Sequence, residues 1–266
     1  MAENGKIIDR RNFLFKSVFF LAGSLLGLNN VSKALAFQKP ENKSFFQPRI
    51  ALIIDDIGYC FSRSRQFLDL KVPITFSILP RLTNSYRVAR EIHAHGHEIM
   101  LHQPMEPYNH DLDPGPGAIY VGSSTKKILT TVQENIASIP FATGVNNHMG
   151  SRLTEHQKEM NEALTVIKKR GFFFVDSRTS IHSIAHKVAR KLNVVSAYRN
   201  TFLDNSLSES DIIFQLYKLT RHAQKYGSAI GIGHPFPETA KAIRKFLTVF
   251  EKSGVSLVHI SPVLYS

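Results

Sequence analysis

The chain has 266 residues, 33 Lys and Arg against 21 Asp and Glu, no Trp and a single Cys. With 43% hydrophobic and 20% charged residues it is close to globular averages, which excludes a collagenous, wholly disordered or multi-span membrane chain, and its length fits one domain or two small ones. One Cys excludes an intramolecular disulfide and any multi-Cys metal site, while the formal net charge of +12 leaves a polyanionic partner open, because basic surfaces concentrate anions.

In chain order the first feature is a processing signal. Asp9-Arg10-Arg11-Asn12-Phe13-Leu14-Phe15-Lys16 resembles a twin-arginine export signal, an apolar stretch follows over residues 17–28, and Ala34-Leu35-Ala36 reads as an A-x-A cleavage site ahead of Phe37. The apolar stretch is shorter than the ~20 residues a spanning helix needs. Residues 1–36 are therefore expected to be a cleaved signal peptide. The mature protein is then exported, periplasmic or extracytoplasmic, with no stable membrane span. Removing them takes away five bases and two acids and leaves about +9, spread without a dense basic run, so nucleic acid is not an expected partner. A polar linker over 37–48 leads into a domain expected over 49–266.

Short apolar runs at 50–54, 74–79, 98–101, 143–145, 172–175, 194–197, 229–232 and 256–260 predict strands, and helical periodicity fills most of the gaps. Thr154-Glu155-His156-Gln157 has capping-box spacing for a helix that stops at Gly171. Ser208 is placed to cap one that stops at Gly227, and Pro235 and Pro237 start one that stops at Gly254. Such alternation makes the fold α/β with a largely parallel sheet, and seven or eight units in one domain favour a closed barrel over an open doubly wound sheet. No G-x-G-x-x-G follows the first strand, which argues against a nucleotide site.

Polar residues interrupt these runs in a telling way. Asp55-Asp56, His102-Gln103-Pro104, Asn146-Asn147-His148, Asp176-Ser177-Arg178 and His234-Pro235 follow five different apolar runs. In a barrel these positions open onto the C-terminal face, where active sites assemble. Two His and an Asp on strand ends suit a hydrolytic divalent metal with open positions, zinc by default because imidazole suits it. A second Asp beside the first can take a proton from attacking water. His97 and His102 are an odd number of residues apart in an extended segment and point to opposite faces, leaving His102 as the better ligand. Blander roles exist for each: a helix-start acidic pair for Asp55-Asp56, a cap near Thr179 for Asp176, a turn before Pro235 for His234.

The strings Ile53-Ile54-Asp55-Asp56-Ile57-Gly58-Tyr59, Leu101-His102-Gln103-Pro104-Met105-Glu106-Pro107, Gly144-Val145-Asn146-Asn147-His148-Met149-Gly150-Ser151 and Gly233-His234-Pro235 resemble the divergent polysaccharide deacetylase family. It is a branch of the polysaccharide deacetylase superfamily, whose members have a distorted (β/α) barrel and remove acetyl groups from N-acetylated sugars. The resemblance implies that barrel, with about seven strands, over about residues 49–264. It implies Asp55 as general base, Asp56 as a metal ligand, His234 as general acid, and Asp176 and Arg178 as acid-orienting groups. The superfamily takes two His ligands from one H-x-x-x-H element; here His102 and His148 take those places. The implied cofactor is a divalent metal, Zn²⁺, and the implied partner is a cell-envelope glycan or its fragments. The Pro/Gly-rich stretch 103–123 is long for a plain connection; it is placed to wall a cleft, and Glu106, Asn147, Tyr108 or Tyr120 become candidate sugar contacts. The reading is an exported metal-dependent deacetylase, the alternative a non-catalytic glycan-binding or cell-wall accessory protein. Asp55-Asp56 with His234 favours the enzyme, because a binder needs neither base nor acid.

Overall fold

Ile50, Ala51, Leu52, Ile53 and Ile54 are all fully buried, so the first strand is covered on both faces, the condition under which a strand reads as an unbroken apolar run. It continues past that run, spanning Arg49–Ile57 (β1), so Asp55 and Asp56 belong to the strand itself. The computed structural model describes residues 47–265; the expected signal peptide and all but the last two linker residues lie outside the described residues. Among the described residues no helix is long and apolar enough to cross a membrane.

All eight predicted runs form strands: after β1 come Thr75–Ile78 (β2), Glu98–Met105 (β3), Ala142–Met149 (β4), Phe173–Asp176 (β5) and Ser196–Tyr198 (β6), then Ser228–Gly233 (β8) and Ser256–Val258 (β9). A ninth, Thr201–Phe202 (β7), was not foreseen because two residues make no run. Every pairing is parallel, in the order β6-β5-β4-β3-β2-β1-β8-β7, with β9 beside the start of β1. Parallel neighbours need long crossovers, supplied by helices Phe61–Leu68 (α1), Ser85–Ala94 (α2), Thr125–Ser138 (α3), Gln157–Lys169 (α4), Ala185–Lys191 (α5), Glu209–Tyr226 (α6) and Pro237–Lys252 (α7), with Ser261–Leu264 (α8) at the end. Helix α2 shows why they dock: Ser85, Val88, Ala89 and Ile92 form one buried stripe at helical spacing.

The two edge strands, β6 and β7, are consecutive and joined by Arg199-Asn200 alone. The edges therefore meet and the sheet curls into the expected distorted (β/α) barrel, with a seam in place of a last strand pairing. Two cores result. Ala51, Ile53, Met100, Phe173, Val175, Ile230 and Ile232 fill the inside, while Ile50, Leu52, Ile54, Val145 and Phe174 pack outward under the helices.

Several helix ends differ from expectation. Thr154 sits in a 3₁₀ turn, Leu153–Glu155, its hydroxyl donating to Gly150 O at 2.8 Å, and α4 starts two residues later without a side-chain cap. The capping box fails because that threonine is already bound to the β4 turn. Ser208 does precede α6, with no side-chain cap bond, and Gly227 ends it in the left-handed region (φ 87°). Pro237 opens α7 as expected.

Candidate active site

Side-chain alternation along a strand decides which polar residues enter the barrel. With residues 51, 53, 100, 173, 175, 230 and 232 inside, the same parity turns Asp55, His102, Asn146, His148 and His234 inward. It turns Gln103, Asn147 and Asp176 outward. Asp56 has the wrong parity, but the β1–β2 register shifts between Ile54 and Ile57, and Asp56 takes φ 57°. This bulge swings its carboxylate back to the C-terminal end beside Asp55.

There, Asp56 Oδ1 lies 3.1 Å from His102 Nε2 and 2.9 Å from His148 Nδ1, and the two nitrogens are 3.1 Å apart. Among the described residues this is the one cluster of three His, Cys, Asp or Glu that could hold a metal ion. Asp56 Oδ1 is buried and, for all this proximity, accepts no hydrogen bond.

A second layer of hydrogen bonds fixes how His102 faces the cluster. Asn146 Nδ2 donates to Asp55 Oδ1 at 2.9 Å and to Ser177 Oγ at 3.2 Å. That leaves Asn146 Oδ1 as the acceptor, for the Ser77 hydroxyl and for His102 Nδ1 at 2.8 Å. A carbonyl oxygen has no proton to give, so His102 Nδ1 carries the hydrogen and Nε2 presents its lone pair. Two imidazole nitrogens and a carboxylate oxygen thus converge with at most the His148 proton among them. That donor set fits a divalent cation of the zinc type, with positions left for water and substrate.

The charges around it are strongly perturbed. Burial pushes the Asp55 carboxyl above its ordinary value, with His102, His234 and Asn146 opposing. Burial also works against ionising Asp56, but His102 and His148 outweigh it and hold that carboxyl well below the usual range. For His102, burial favours the neutral ring, yet Asp55 and Asp56 raise its pKa. For His234, burial is overcome chiefly by Asp204, and the ring is pushed up to about 9. Asp55 Oδ2 stands 3.7 Å from His102 Nε2, and His234 Nε2 stands 4.0 Å from Asp56 Oδ2.

Asp204 is the residue sequence reasoning missed. Its Oδ1 accepts from His234 Nδ1 at 2.8 Å, and its Oδ2 from the His234 amide at 2.6 Å and the Thr239 hydroxyl at 2.8 Å. The residue held against His234, where the resemblance placed Asp176 and Arg178, is Asp204. Asp176 faces outward and is used locally, accepting from Arg178 N, Ser183 Oγ and His186 N. The Arg178 guanidinium lies 3.6 Å over the Tyr198 ring. A signal for Asp204 did exist: Thr201-Phe202-Leu203 before it repeats, in miniature, the apolar run ended by an acid.

Three of the four candidate sugar contacts, Asn147, Glu106 and Tyr108, also have other duties. Asn147 is buried; its Oδ1 accepts from Ser177 N and its Nδ2 donates to Met149 O, tying β4 to β5. Glu106 is buried in a pair with Arg152 at 2.6 Å and accepts from Val121 N at 2.7 Å. Tyr108 is exposed, but its hydroxyl donates to Glu155 at 2.7 Å. The stretch 103–123 is folded back on itself through Ile119, whose amide donates to Pro104 O and whose carbonyl accepts from Glu106 N. His97 faces Ile74 O, away from the cluster, as its parity requires. A cavity of about 600 Å³ lies at the β6/β7 seam and not over the cluster; solvent reaches the convergent side chains past Asp56, about a third exposed.

The sequence pattern of the divergent polysaccharide deacetylase family matches residues 52–264. An uncharacterized protein of Haemophilus influenzae is 32% identical over 201 residues, covering 76% of this chain and 71% of that protein. Among solved structures, an uncharacterized protein from Agrobacterium tumefaciens superposes with a TM-score of 0.77 at 26% identity, over 82% of this chain and 89% of that one. A CE4 family pseudoenzyme from Bacillus anthracis shares the fold at a TM-score of 0.53 and 15% identity, over 82% of this chain and 66% of that one. The family pattern runs from within β1 to α8, through every strand that contributes to the cluster, and so this chain belongs to the divergent polysaccharide deacetylase family.

Proposed function

We propose that this protein is an exported, metal-dependent amide hydrolase that removes acetyl groups from an N-acetylated cell-envelope glycan. The observation that carries the reading is the convergence of Asp56 Oδ1, His102 Nε2 and His148 Nδ1 within 3.1 Å, with a raised-pKa carboxyl on one flank and a protonated histidine on the other. Those three residues would hold a zinc-type cation, which would supply Lewis acidity toward the acyl oxygen. Asp55, anchored by Asn146, takes a proton from the attacking water as its oxygen bonds to the acyl carbon. His234, positively charged at neutral pH and held by Asp204, gives its proton to the departing sugar nitrogen as the C–N bond breaks. Export rests on Arg10-Arg11 and the A-x-A site, and the glycan on family membership.

The test compares wild type and Asp55→Asn at matched metal content for acetate release from chitooligosaccharides and peptidoglycan fragments. A general base contributes ~10²–10⁴-fold, so kcat should fall by about that much while metal stoichiometry stays unchanged. Glycan binding without hydrolysis by the wild type, or full activity in the variant, would assign the barrel to an accessory protein instead.

A further inference from the structure

Arg199 differs from the other arginines held at this end of the barrel. Arg152 is paired with Glu106, whereas among the described residues no carboxylate lies within ion-pair distance of Arg199; Asp176 and Asp55 act on it only from farther off. Its anchors are uncharged. Nε donates to Ser177 O at 2.6 Å and Nη2 to Arg178 O at 2.8 Å, and the guanidinium lies 3.8 Å over the Phe202 ring. Burial pushes its pKa down to about 10, and the nearby Arg178 guanidinium adds to that effect. Charges withdrawn from water in this way are ordinarily paired.

The anchoring leaves a definite set of donors. A guanidinium carries five N–H bonds; two go to the carbonyls, and both on Nη1 with one on Nη2 remain. Nη1 is open to solvent, for it is not among the polar atoms shut in without a partner. Such a free fork takes a carboxylate or a phosphate in bidentate fashion. Its place is also definite. Phe202 packs against the inner core and its ring stacks on that of His234 at 5.7 Å, while Ser177, which anchors Arg199, accepts from Asn146 Nδ2 through its hydroxyl. Arg199 therefore borders the same pocket of side chains as His234 and Asp55. A neutral sugar there would leave the guanidinium charge uncompensated, and an anionic group would balance it.

We propose that Arg199 binds an anionic substituent, a carboxylate or a phosphate, of the glycan that reaches the Asp56–His102–His148 cluster, so that the substrate is an acidic and not a neutral glycan. This rests on the reading of that cluster as a deacetylase site, but it is tested by binding and not by acetate release.

Two matched pairs serve as probes: N-acetylmuramic acid against its methyl ester, and N-acetylglucosamine 6-phosphate against N-acetylglucosamine. They are titrated calorimetrically into Zn²⁺-loaded Asp55→Asn protein, in which turnover is suppressed. One anion should bind about 10–100-fold more tightly than its neutral partner, the worth of a charge-assisted hydrogen bond, and the pair that shows it identifies the substituent. Arg199→Gln in the same background should abolish that preference, and Arg199→Lys, which keeps the charge without the anchored fork, should retain part of it. Should Arg199→Gln fail to fold, the comparison within each pair and the lysine variant still decide. Equal binding of each anion and its neutral partner overturns the proposal, as does the lack of saturation by any probe up to about 20 mM. A preference undiminished in both Arg199 variants overturns it too, because the metal would then be taking the anion directly. Failure of the wild type to release acetate from any glycan would remove the deacetylase reading and leave the anion preference still measurable.

Discussion

Asn146 decides which nitrogen of His102 faces the ligand cluster, and it does so because Asp55 first decides how Asn146 is turned. The carboxylate takes the amide NH₂, the amide oxygen is left for His102 Nδ1–H, and the lone pair of Nε2 is turned toward the point on which Asp56 Oδ1 and His148 Nδ1 also converge. Removing this support should reduce metal affinity by about 10–100-fold, the usual cost of losing a partner that orients a ligand. Asn146→Leu is expected to show that loss in a chelator-competition titration with Zn²⁺ or Co²⁺. Asn146→Asp, whose carboxylate still accepts from His102, should lose less; equal affinity in all three proteins would remove Asn146 from this role. His102 adds a pH dependence with a definite sign. Its pKa is raised above 6.5, so protons compete with the metal at a higher pH than at an ordinary histidine, and loading should fall progressively on acidification. Asp204 acts in the same manner on His234. In metal-free protein His234 should titrate at about 9 by NMR, and Asp204→Asn should bring that value down sharply, since burial then acts with less opposition. The folded-state pKa exceeds the unfolded one, so the contribution of this pair to stability is complete below about 6.5 and lost as pH rises through about 9. Asp204→Asn should flatten that alkaline decline in urea midpoints.

At the scale of elements, strand parity explains both what the sequence revealed and what it concealed. The eight apolar runs, and the polar residues that follow five of them, were legible, because a parallel strand buried on both faces must be apolar throughout. Such a run does not show which face is which. Asp55, His102, His148 and His234 were therefore found together with Asp176 and Asn147, which have the opposite parity and serve the outer layer. Asp56 could not be placed by parity at all, since the bulge that turns it inward leaves no mark beyond its own positive φ. The inner face also carries its own packing signal in Gly144 of β4. A Cβ there would come within 2.1 Å of the buried Phe173 ring. Gly144→Ala should destabilise the protein by about 1–3 kcal/mol, the range for overpacking a core. Urea unfolding would measure it, and pairing the change with Phe173→Leu should return part of the loss. An additive double mutant would mean that the ring is not what the methyl meets.

Across the whole molecule, the barrel is a sheet whose edges are brought together without being paired, and Asn200 holds them. Its amide donates to Ile230 O at 2.9 Å and its side-chain oxygen accepts from Ile230 N at 2.7 Å, so one residue makes with β8 the two bonds that a strand neighbour would make. The Arg199 amide binds on the other side, to Asp176 O of β5 at 3.0 Å. Both the cluster at the C-terminal end and the cavity at the seam depend on this closure, because β7 carries Asp204 to His234 immediately after it. Replacing Asn200 with Ala leaves its backbone bond in place but strands the Ile230 amide in a largely buried position. The expected loss is about 1–3 kcal/mol, the cost of an unsatisfied buried donor. Asn200→Asp keeps the acceptor for Ile230 and loses the donor to His222, so it should retain most of the stability. Native-state hydrogen exchange separates this from general weakening: the Ile230 amide should lose protection selectively in Asn200→Ala, while amides of β2 and β3, on the far side of the barrel, keep theirs. If Ile230 exchange were unchanged in that variant, or if β2 and β3 opened equally, the seam would be held by packing and not by this side chain.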